Sequence, residues 1–478
     1  MKDWELCYLP LGALAERIRR KEVSCAEVTR LYLDRIDALN KEINAYITIL
    51  PDGALQQATE LDREIRTGHY RGPLHGIPIG LKDCLATKGI RTTAGSKIFA
   101  DWIPDYDSAM AERLGQAGAV LLGKHNMHEL ALGGTNINPF YGATRNPWDL
   151  ERIPGGSSGG GAAAVGASLC CAALGTDGAG SVRMPAGLCG VVGLKPTYGR
   201  VSRHGVVGGS WSTDHVGPIT RRVEDAAIVL EVIAGADPRD PTSASAPVSR
   251  YREAVHGEVK GRSVGVPRAY FFDVIAREVR EAIEKGIRTL EGLGMSVQEI
   301  DLPHIEYVTA AQWAVVRPER SAWSGPYLKG RPQDHGPDVL ARLLMGTLIP
   351  AVDYLNGQRV RRLIVQDFET AFQSVDVIVS PTTPVPAPML SDCLAGTLDV
   401  DGQRLDMLDV SVSLLTRCTI PFNVTGHPTV SVPCGFTSSG LPIGLQLTGK
   451  VFQEGDLLRV ARAFEQAAGW FGRRPPEP

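Results

Sequence analysis

The sequence predicts an α/β fold, a central sheet covered by helices, and three observations carry that reading. From residue 76 onward, short apolar runs alternate with amphipathic helical patterns, the order of strands clothed by helices. The 478 residues are about three times the length of a typical domain, enough for a substantial core. Hydrophobic residues at 43% and charged residues at 22% are ordinary globular values, and the 53 glycines follow no G-X-Y period, which excludes collagen and wholesale disorder.

The first seventy residues read as helices. Ser24-Cys25-Ala26-Glu27 is a capping box, and it opens an amphipathic run through Leu39. A second helical pattern covers Gly53 to Arg66. These predict an N-terminal helical layer, residues 1–70, packed on a body of residues 71–478 with which it forms effectively one catalytic domain. Gly76 to Leu81 then reads as a short buried strand, Ser108 to Gln116 as a helix and Ala119 to Leu122 as a strand. The rhythm returns with strand Ser263 to Val266, helix Val274 to Leu293 and strand Ser296 to Leu302. Further strands lie near Val375 to Val379, Thr429 to Val432 and Ile443 to Leu447.

The formal charge is −3, from 50 Lys+Arg against 53 Asp+Glu, and no long basic run is present. The footprint of a nucleic-acid or anionic-membrane binder is missing, so a small substrate without strong negative charge is expected. Nine scattered cysteines without a C-x-x-C pair fit neither a disulfide framework nor a zinc site. Reduced thiols in the cytoplasm are the plain expectation. Charge interrupts every short apolar run of the N-terminus, so no signal-peptide core is expected there. The uncharged stretch from Ile153 to Thr176 is long enough to cross a bilayer, but Gly, Ala and Ser dominate it. It reads as buried in protein.

That stretch belongs to the sharpest compositional break: Gly155 to Gly199 holds 13 glycines in 45 residues. Glycine at this density signals tight turns and close backbone approach. Gly161 to Leu174 reads as a small-residue helix whose N-terminal N–H groups point toward Ser157 and Ser158. Other motifs are weaker. Gly118 to Lys124 has the outline of a P-loop, but His125 stands where Ser or Thr would hold magnesium, and the intervening residues are a hydrophobic strand. His125 and His128 have no third histidine at metal-ligand spacing, so no metal is expected. Gly155 to Gly160 matches G-x-S-x-G in two registers, which keeps open an α/β-hydrolase esterase with an elbow serine at Ser158.

Four segments taken together decide among these readings. Ile77-Pro-Ile-Gly-Leu-Lys82-Asp83, Gly155-Gly-Ser157-Ser158-Gly-Gly, Gly175-Thr-Asp177-Gly-Ala-Gly180-Ser181-Val-Arg183 and Cys189-Gly-Val-Val-Gly-Leu-Lys195-Pro-Thr-Tyr198-Gly-Arg200 resemble the amidase signature family of hydrolases. The resemblance runs over nearly the whole chain. It implies a large mixed central sheet with helices on both faces. It also implies a Ser-Ser-Lys triad, with Ser181 as nucleophile, Ser157 as a relay on a cis peptide after Gly156, and Lys82 as base. A lysine serves as base near neutral pH only if burial keeps it uncharged, and Lys82 ends an apolar strand. Gly178, Ala179, Gly180 and Ser181 resemble the family's oxyanion loop, with Ala179 where many relatives carry glycine. Asp177 and Arg183 flank that loop and are expected to pair and brace it. Cys84 is expected to pack beside the lysine.

The function expected from this resemblance is hydrolysis of small linear amides, or of related carbamates and esters, through an acyl-enzyme and without a metal or organic cofactor. The expected partners are a small-molecule amide and at most a second copy of the chain in a homodimer, with no nucleic acid and no membrane. Substrate choice is assigned to residues 305–395, where Trp313, Trp323, Tyr327 and Met345 are expected to wall an acyl pocket. A rival on the same fold is the glutaminase subunit of the glutamyl-tRNA(Gln) amidotransferase, which acts only within a complex. Two departures weigh against it: Arg317 to Trp323 lacks its Tyr-Asp-Gly stretch, and Thr416-Arg417-Cys418 lacks a carboxylate before Thr419-Ile-Pro421. Arg342-Leu-Leu-Met-Gly346-Thr347 does resemble the transferase. A non-catalytic binding protein is the reading from another class, and retention of all three triad side chains weighs against it.

Overall fold

The computed structural model describes residues 4–406 and 414–476. The N-terminal layer holds α1 (Glu5–Tyr8), α2 (Leu11–Arg19), α3 (Cys25–Ile43) and α4 (Pro51–Arg66). Both arms of the capping box at Ser24 and Glu27 form at the start of α3. The layer is not purely helical, however. Between α3 and α4 runs β1 (Tyr46–Ile49), which pairs antiparallel with β3 (Val120–His125) and becomes the edge of the main sheet. Tyr46, Ile47, Thr48 and Ile49 are β-branched or aromatic residues between two helices, too short a run to stand out as a strand.

Eleven strands build one mixed sheet. Besides β1 and β3 these are β2 (Pro78–Lys82), β4 (Ala172–Asp177), β5 (Val192–Lys195), β6 (His215–Thr220), β7 (Ser263–Val266), β8 (Ser296–Glu299) and β9 (Val377–Pro381). A small hairpin, β10 (Thr397–Val400) and β11 (Gln403–Asp406), stands apart, and β12 (Thr429–Phe436) and β13 (Pro442–Gly449) complete the sheet. Its order is β1-β3-β2-β4-β6-β5-β12-β13-β9-β7-β8. Strands β3, β2 and β4 run parallel to one another, as do β9, β7 and β8, while antiparallel pairs join the two groups. Every residue of β2, β4, β6, β9 and β13 is buried, because helices cover both faces.

The glycine-rich segment departs from the expected single helix. Gly161 to Leu174 divides into the end of α6 (Gly159–Gly166) and the start of β4, with Ser168 in the left-handed region at φ 56° between them. The apolar run Leu169 to Leu174 gains more as a central strand, with its backbone paired on both sides, than as a helix of small residues. Parallel register from Ile79↔Ala172 to Leu81↔Leu174 then sets the C-terminal ends of β2 and β4 side by side. Helix α5 (Ala109–Gln116) precedes β3, α7 (Arg183–Cys189) follows β4, and α8 (Val223–Ile233), α9 (Tyr251–Ala254) and α10 (Arg277–Gly292) lie between β6 and β8. Residues 305–395 contribute α11 (Val308–Gly330), α12 (Pro337–Thr347) and α13 (Ala351–Ser374), and also the sheet strand β9. Among the described residues no helix is long and apolar enough to cross a membrane.

Candidate active site

Lys82 is the last residue of β2 and is fully enclosed at 1% exposure. Its Nζ donates to the hydroxyl of Ser157 at 2.7 Å and to that of Thr176, near the end of β4, at 2.7 Å. Burial lowers its pKa to about 8, and Arg320 adds to that effect against the opposing pull of Asp214 and Asp177. The ammonium therefore gives up its proton far more readily than an exposed lysine would.

Ser157 precedes α6, and its peptide bond to Gly156 is cis. The His128 N–H donates to the Ser157 carbonyl at 3.1 Å, which holds the serine toward Lys82. Its neighbour Ser158 points elsewhere. The Ser158 hydroxyl donates to the Thr176 carbonyl at 3.1 Å, and its N–H donates to the Ser181 carbonyl at 3.2 Å. Ser158 is thus enclosed and hydrogen-bonded, the opposite of a projecting elbow nucleophile. Ser181 is the most accessible of the three serines, at 9% against 0% for Ser157 and 1% for Ser158. No hydroxyl hydrogen bond joins Ser157 to Ser181 in the described residues, and such contacts commonly tighten only around substrate.

The loop before Ser181 is braced from beneath. Asp177 accepts from the N–H groups of Gly180 at 2.7 Å and Val182 at 3.2 Å, and from the Arg183 guanidinium at 3.0 Å through each oxygen. Arg183 in turn donates to the Thr419 carbonyl at 3.1 Å and to Asn423 at 2.7 Å. Burial alone would raise the Asp177 carboxyl, yet the Arg183 charge and hydrogen bonds hold it well below the usual carboxylate range. This is the brace expected of the pair. Of the four residues expected to form an oxyanion loop, Gly180 has its N–H engaged by Asp177, whereas those of Gly178, Ala179 and Ser181 donate to no group among the described residues. Gly180 itself sits at φ 114°, and a side chain there would begin 2.1 Å from Thr419 Oγ1.

Other expected residues scatter. Trp323 and Tyr327 gather around Phe99, with ring centroids 5.2 to 6.2 Å apart, and Trp323 lines a cleft of about 250 Å³ that reaches Asp214. Trp313 instead stacks under Arg317 at 3.6 Å, and Met345 lies largely exposed beside the same arginine. No hydrogen bond or ring contact joins those two to Lys82, Ser157 or Ser181 among the described residues. Cys84 is buried and its thiol is pushed up by burial, so it is no thiolate nucleophile. Lys124 donates to Leu85, Thr87 and Thr92 inside the core, which removes the P-loop reading. His128 pairs with Asp338 at 3.0 Å, and the described residues hold no cluster fit for a metal.

Three further residues, Thr176, Asp214 and Arg320, lie beside Lys82 or the loop before Ser181, and no sequence motif marks their roles. Thr176 accepts from Lys82. Asp214 lies where a Gly178 side chain would begin, and it pairs with Arg320 of α11 at 3.1 Å. The adjacent charges Glu319 and Arg320 are buried within α11, and Glu319 holds the hydroxyls of Ser210 and Ser212. An acid–base pair on the inward face of a helix was the available signal.

A family model described as Amidase matches residues 27–458. The chain belongs to the amidase signature family. Full-length relatives refine the picture of this amidase family member. A glutamyl-tRNA(Gln) amidotransferase subunit of Moorella thermoacetica is 45% identical, over 98% of this chain and 99% of that protein. The structure of the Thermotoga maritima protein of the same name is 34% identical with a TM-score of 0.79, covering 98% of this chain and 96% of that one. A chain from a vestigial protein complex, described as revealing the origins of an s-triazine catabolic enzyme, is 34% identical with a TM-score of 0.90, covering 96% and 99%. The chain is therefore an enzyme of the group that holds amidase hydrolases and amidotransferases.

These relatives overturn two expectations. A stand-alone hydrolase of small linear amides, with a small molecule as its only partner and no nucleic acid, is not the reading that the full-length likeness favours. The departures weighed against the transferase are local. Arg317 to Trp323 form one stretch of α11, and Arg417 turns to Tyr270, donating to its carbonyl at 3.0 Å and stacking on its ring at 3.8 Å. Neither segment lies in a strand of the main sheet.

Proposed function

We propose that this chain is the glutamine-hydrolysing subunit of a glutamyl-tRNA(Gln) amidotransferase. The full-length likeness to the Moorella thermoacetica protein carries this reading. The site supports it with chemistry suited to an amide. Neutral Lys82 takes the proton of Ser157 as Ser157 takes that of Ser181, whose oxygen attacks the side-chain amide carbon of glutamine. The resulting oxyanion meets the free N–H groups of the Ala179 and Ser181 turn. Ser157 then returns a proton to the nitrogen as the carbon–nitrogen bond breaks, ammonia leaves for transfer, and water releases glutamate from Ser181. In this reading residues 1–70 cover the body and 71–478 hold the chemistry, the two acting as one catalytic unit.

The test is ammonia release from glutamine by the purified chain, alone and mixed with the remaining subunits of the Moorella thermoacetica transferase. Glutamine hydrolysis that rises in the mixture and vanishes in Ser181→Ala is the expected result. Hydrolysis of uncharged amides with none of glutamine, alone or mixed, would overturn the assignment.

A further inference from the structure

The helical hairpin α12 to α13 presents an apolar ridge that its own fold does not use. The inward face of α12 is Val339, Leu343 and Gly346, and Ser321 of α11 donates to the Leu343 carbonyl at 2.6 Å. The inward face of α13 includes Gly357, Ile364 and Phe368. With those faces packed, Leu344, Met345, Leu348, Val352 and Leu355 turn outward. Leu348 is 79% exposed, and Val352 and Leu355 are 60% each. Isolated exposed leucines are ordinary, whereas five large apolar side chains exposed within twelve residues of one hairpin are a concentration of the kind that marks an interface.

The ridge continues into a groove of about 550 Å³ along α13, lined by Val352, Leu355, Asn356, Gln358, Arg359 and Arg362. Arg359 has no carboxylate partner among the described residues, and Arg362 reaches only the exposed Glu369 at 3.4 Å. Apolar anchors at i and i+3 followed by two cations at the next turns match the spacing of a helix lying alongside. The amide of Asn356 within the groove calls for a hydrogen-bonding occupant, which lipid tails are not. We propose that this ridge seats a partner subunit through an amphipathic helix, with apolar side chains against Leu348, Val352 and Leu355 and carboxylates facing Arg359 and Arg362.

The proposal rests on the transferase reading, which requires companion subunits. It also gives the seat a route to the chemistry. The Gly336 N–H, just before α12, donates to Glu129 at 2.8 Å, and Asp338 in its first turn pairs with His128 at 3.0 Å. His128 is the residue whose own N–H holds Ser157. A partner that steadies α12 therefore steadies the serine loop.

Complex formation is measured by light scattering after gel filtration and by titration calorimetry, using the chain with the remaining subunits of the Moorella thermoacetica transferase. Leu348→Glu and Val352→Glu are each expected to weaken binding by about 30-fold or more, the scale of a hot-spot residue. Arg359→Glu should slow association, most at low salt. Thermal melts and sulfonyl-fluoride labelling of Ser181 in the isolated variants should match the wild type, since these side chains contact neither core nor triad. A complex that forms equally with both glutamate variants overturns the proposal while leaving the transferase reading intact. Failure of the wild-type chain to bind those subunits overturns the reading and the proposal together. Self-association through the ridge, or sedimentation with anionic phosphatidylglycerol vesicles that Leu348→Glu abolishes, puts another occupant on the ridge and also overturns it.

Discussion

The protonation of Lys82 is open to a quantitative test. With its pKa lowered to about 8 by burial, the lysine is neutral in about 10% of molecules at pH 7 and in about 90% at pH 9. Only the neutral form accepts the proton passed from Ser181 through Ser157, so the rate of acylation should climb about tenfold between pH 7 and pH 9 and level off above. An unperturbed lysine near 10.4 would instead give a rise of about 100-fold over that interval, still climbing at pH 10. The sign is fixed by the group: a depressed lysine gains its working form as pH rises through its pKa. Cys84, Asp177, Asp214 and Arg320 are the other charged or titratable groups that act on it. The assay is the second-order rate of Ser181 modification by a sulfonyl fluoride, followed by mass spectrometry, which is independent of the natural substrate. Lys82→Arg should be inert throughout, because a guanidinium stays protonated. A midpoint above pH 10, or wild-type labelling in Lys82→Arg, would refute the assignment of the base.

Ser181→Ala should abolish labelling and turnover together, a loss on the order of 10⁴ to 10⁶ in rate; an adduct mapped to Ser158 or Cys84 in the wild type would contradict this. Asp177→Asn leaves the buried Arg183 without its countercharge and should cost about 3–5 kcal/mol of stability, read as a lowered denaturation midpoint; a change below about 1 kcal/mol would show that the brace is dispensable. Gly180→Ala places a methyl against Thr419 at a positive φ, so labelling of Ser181 should fall by about 100-fold or more. Thr419→Gly in the same chain should restore part of that loss, since it removes the clash but not the backbone restriction.

The candidate triad residues stand out in the sequence because they sit in segments whose composition is itself constrained, and the structure joins Lys82 to Ser157. Lys82 closes an apolar strand, Ser157 lies among glycines, and Ser181 follows a turn that only small residues permit. The brace of Asp177 and Arg183 was equally readable, six residues apart and of opposite charge. Trp313 and Met345 meet Arg317 and not a triad residue, because aromatic and thioether side chains reveal apolarity but not which way a helix faces. Thr176, Asp214 and Arg320 escaped notice because a hydroxyl or an ion pair acquires its role from a partner far along the chain. The transferase likeness is not legible for a related reason: differences at Arg317 to Trp323 and at Thr416 to Cys418 are conspicuous in one sequence, whereas 45% identity over 98% of the chain shows only beside a relative.

The pairing of β2 with β4 has a consequence for the order in which this molecule matures. Lys82 and Thr176 lie 94 positions apart, and they meet only once Leu81 has found Leu174 across the ladder. Closing so long a loop comes after local helices have formed, so the reactive serine is a late product of folding. A slip of one residue would turn Lys82 to the opposite face of the sheet and leave a collapsed but chemically silent chain. Appearance of the Ser181 adduct during refolding would then serve as a clock for registration of the central strands, distinct from the earlier recovery of helical signal.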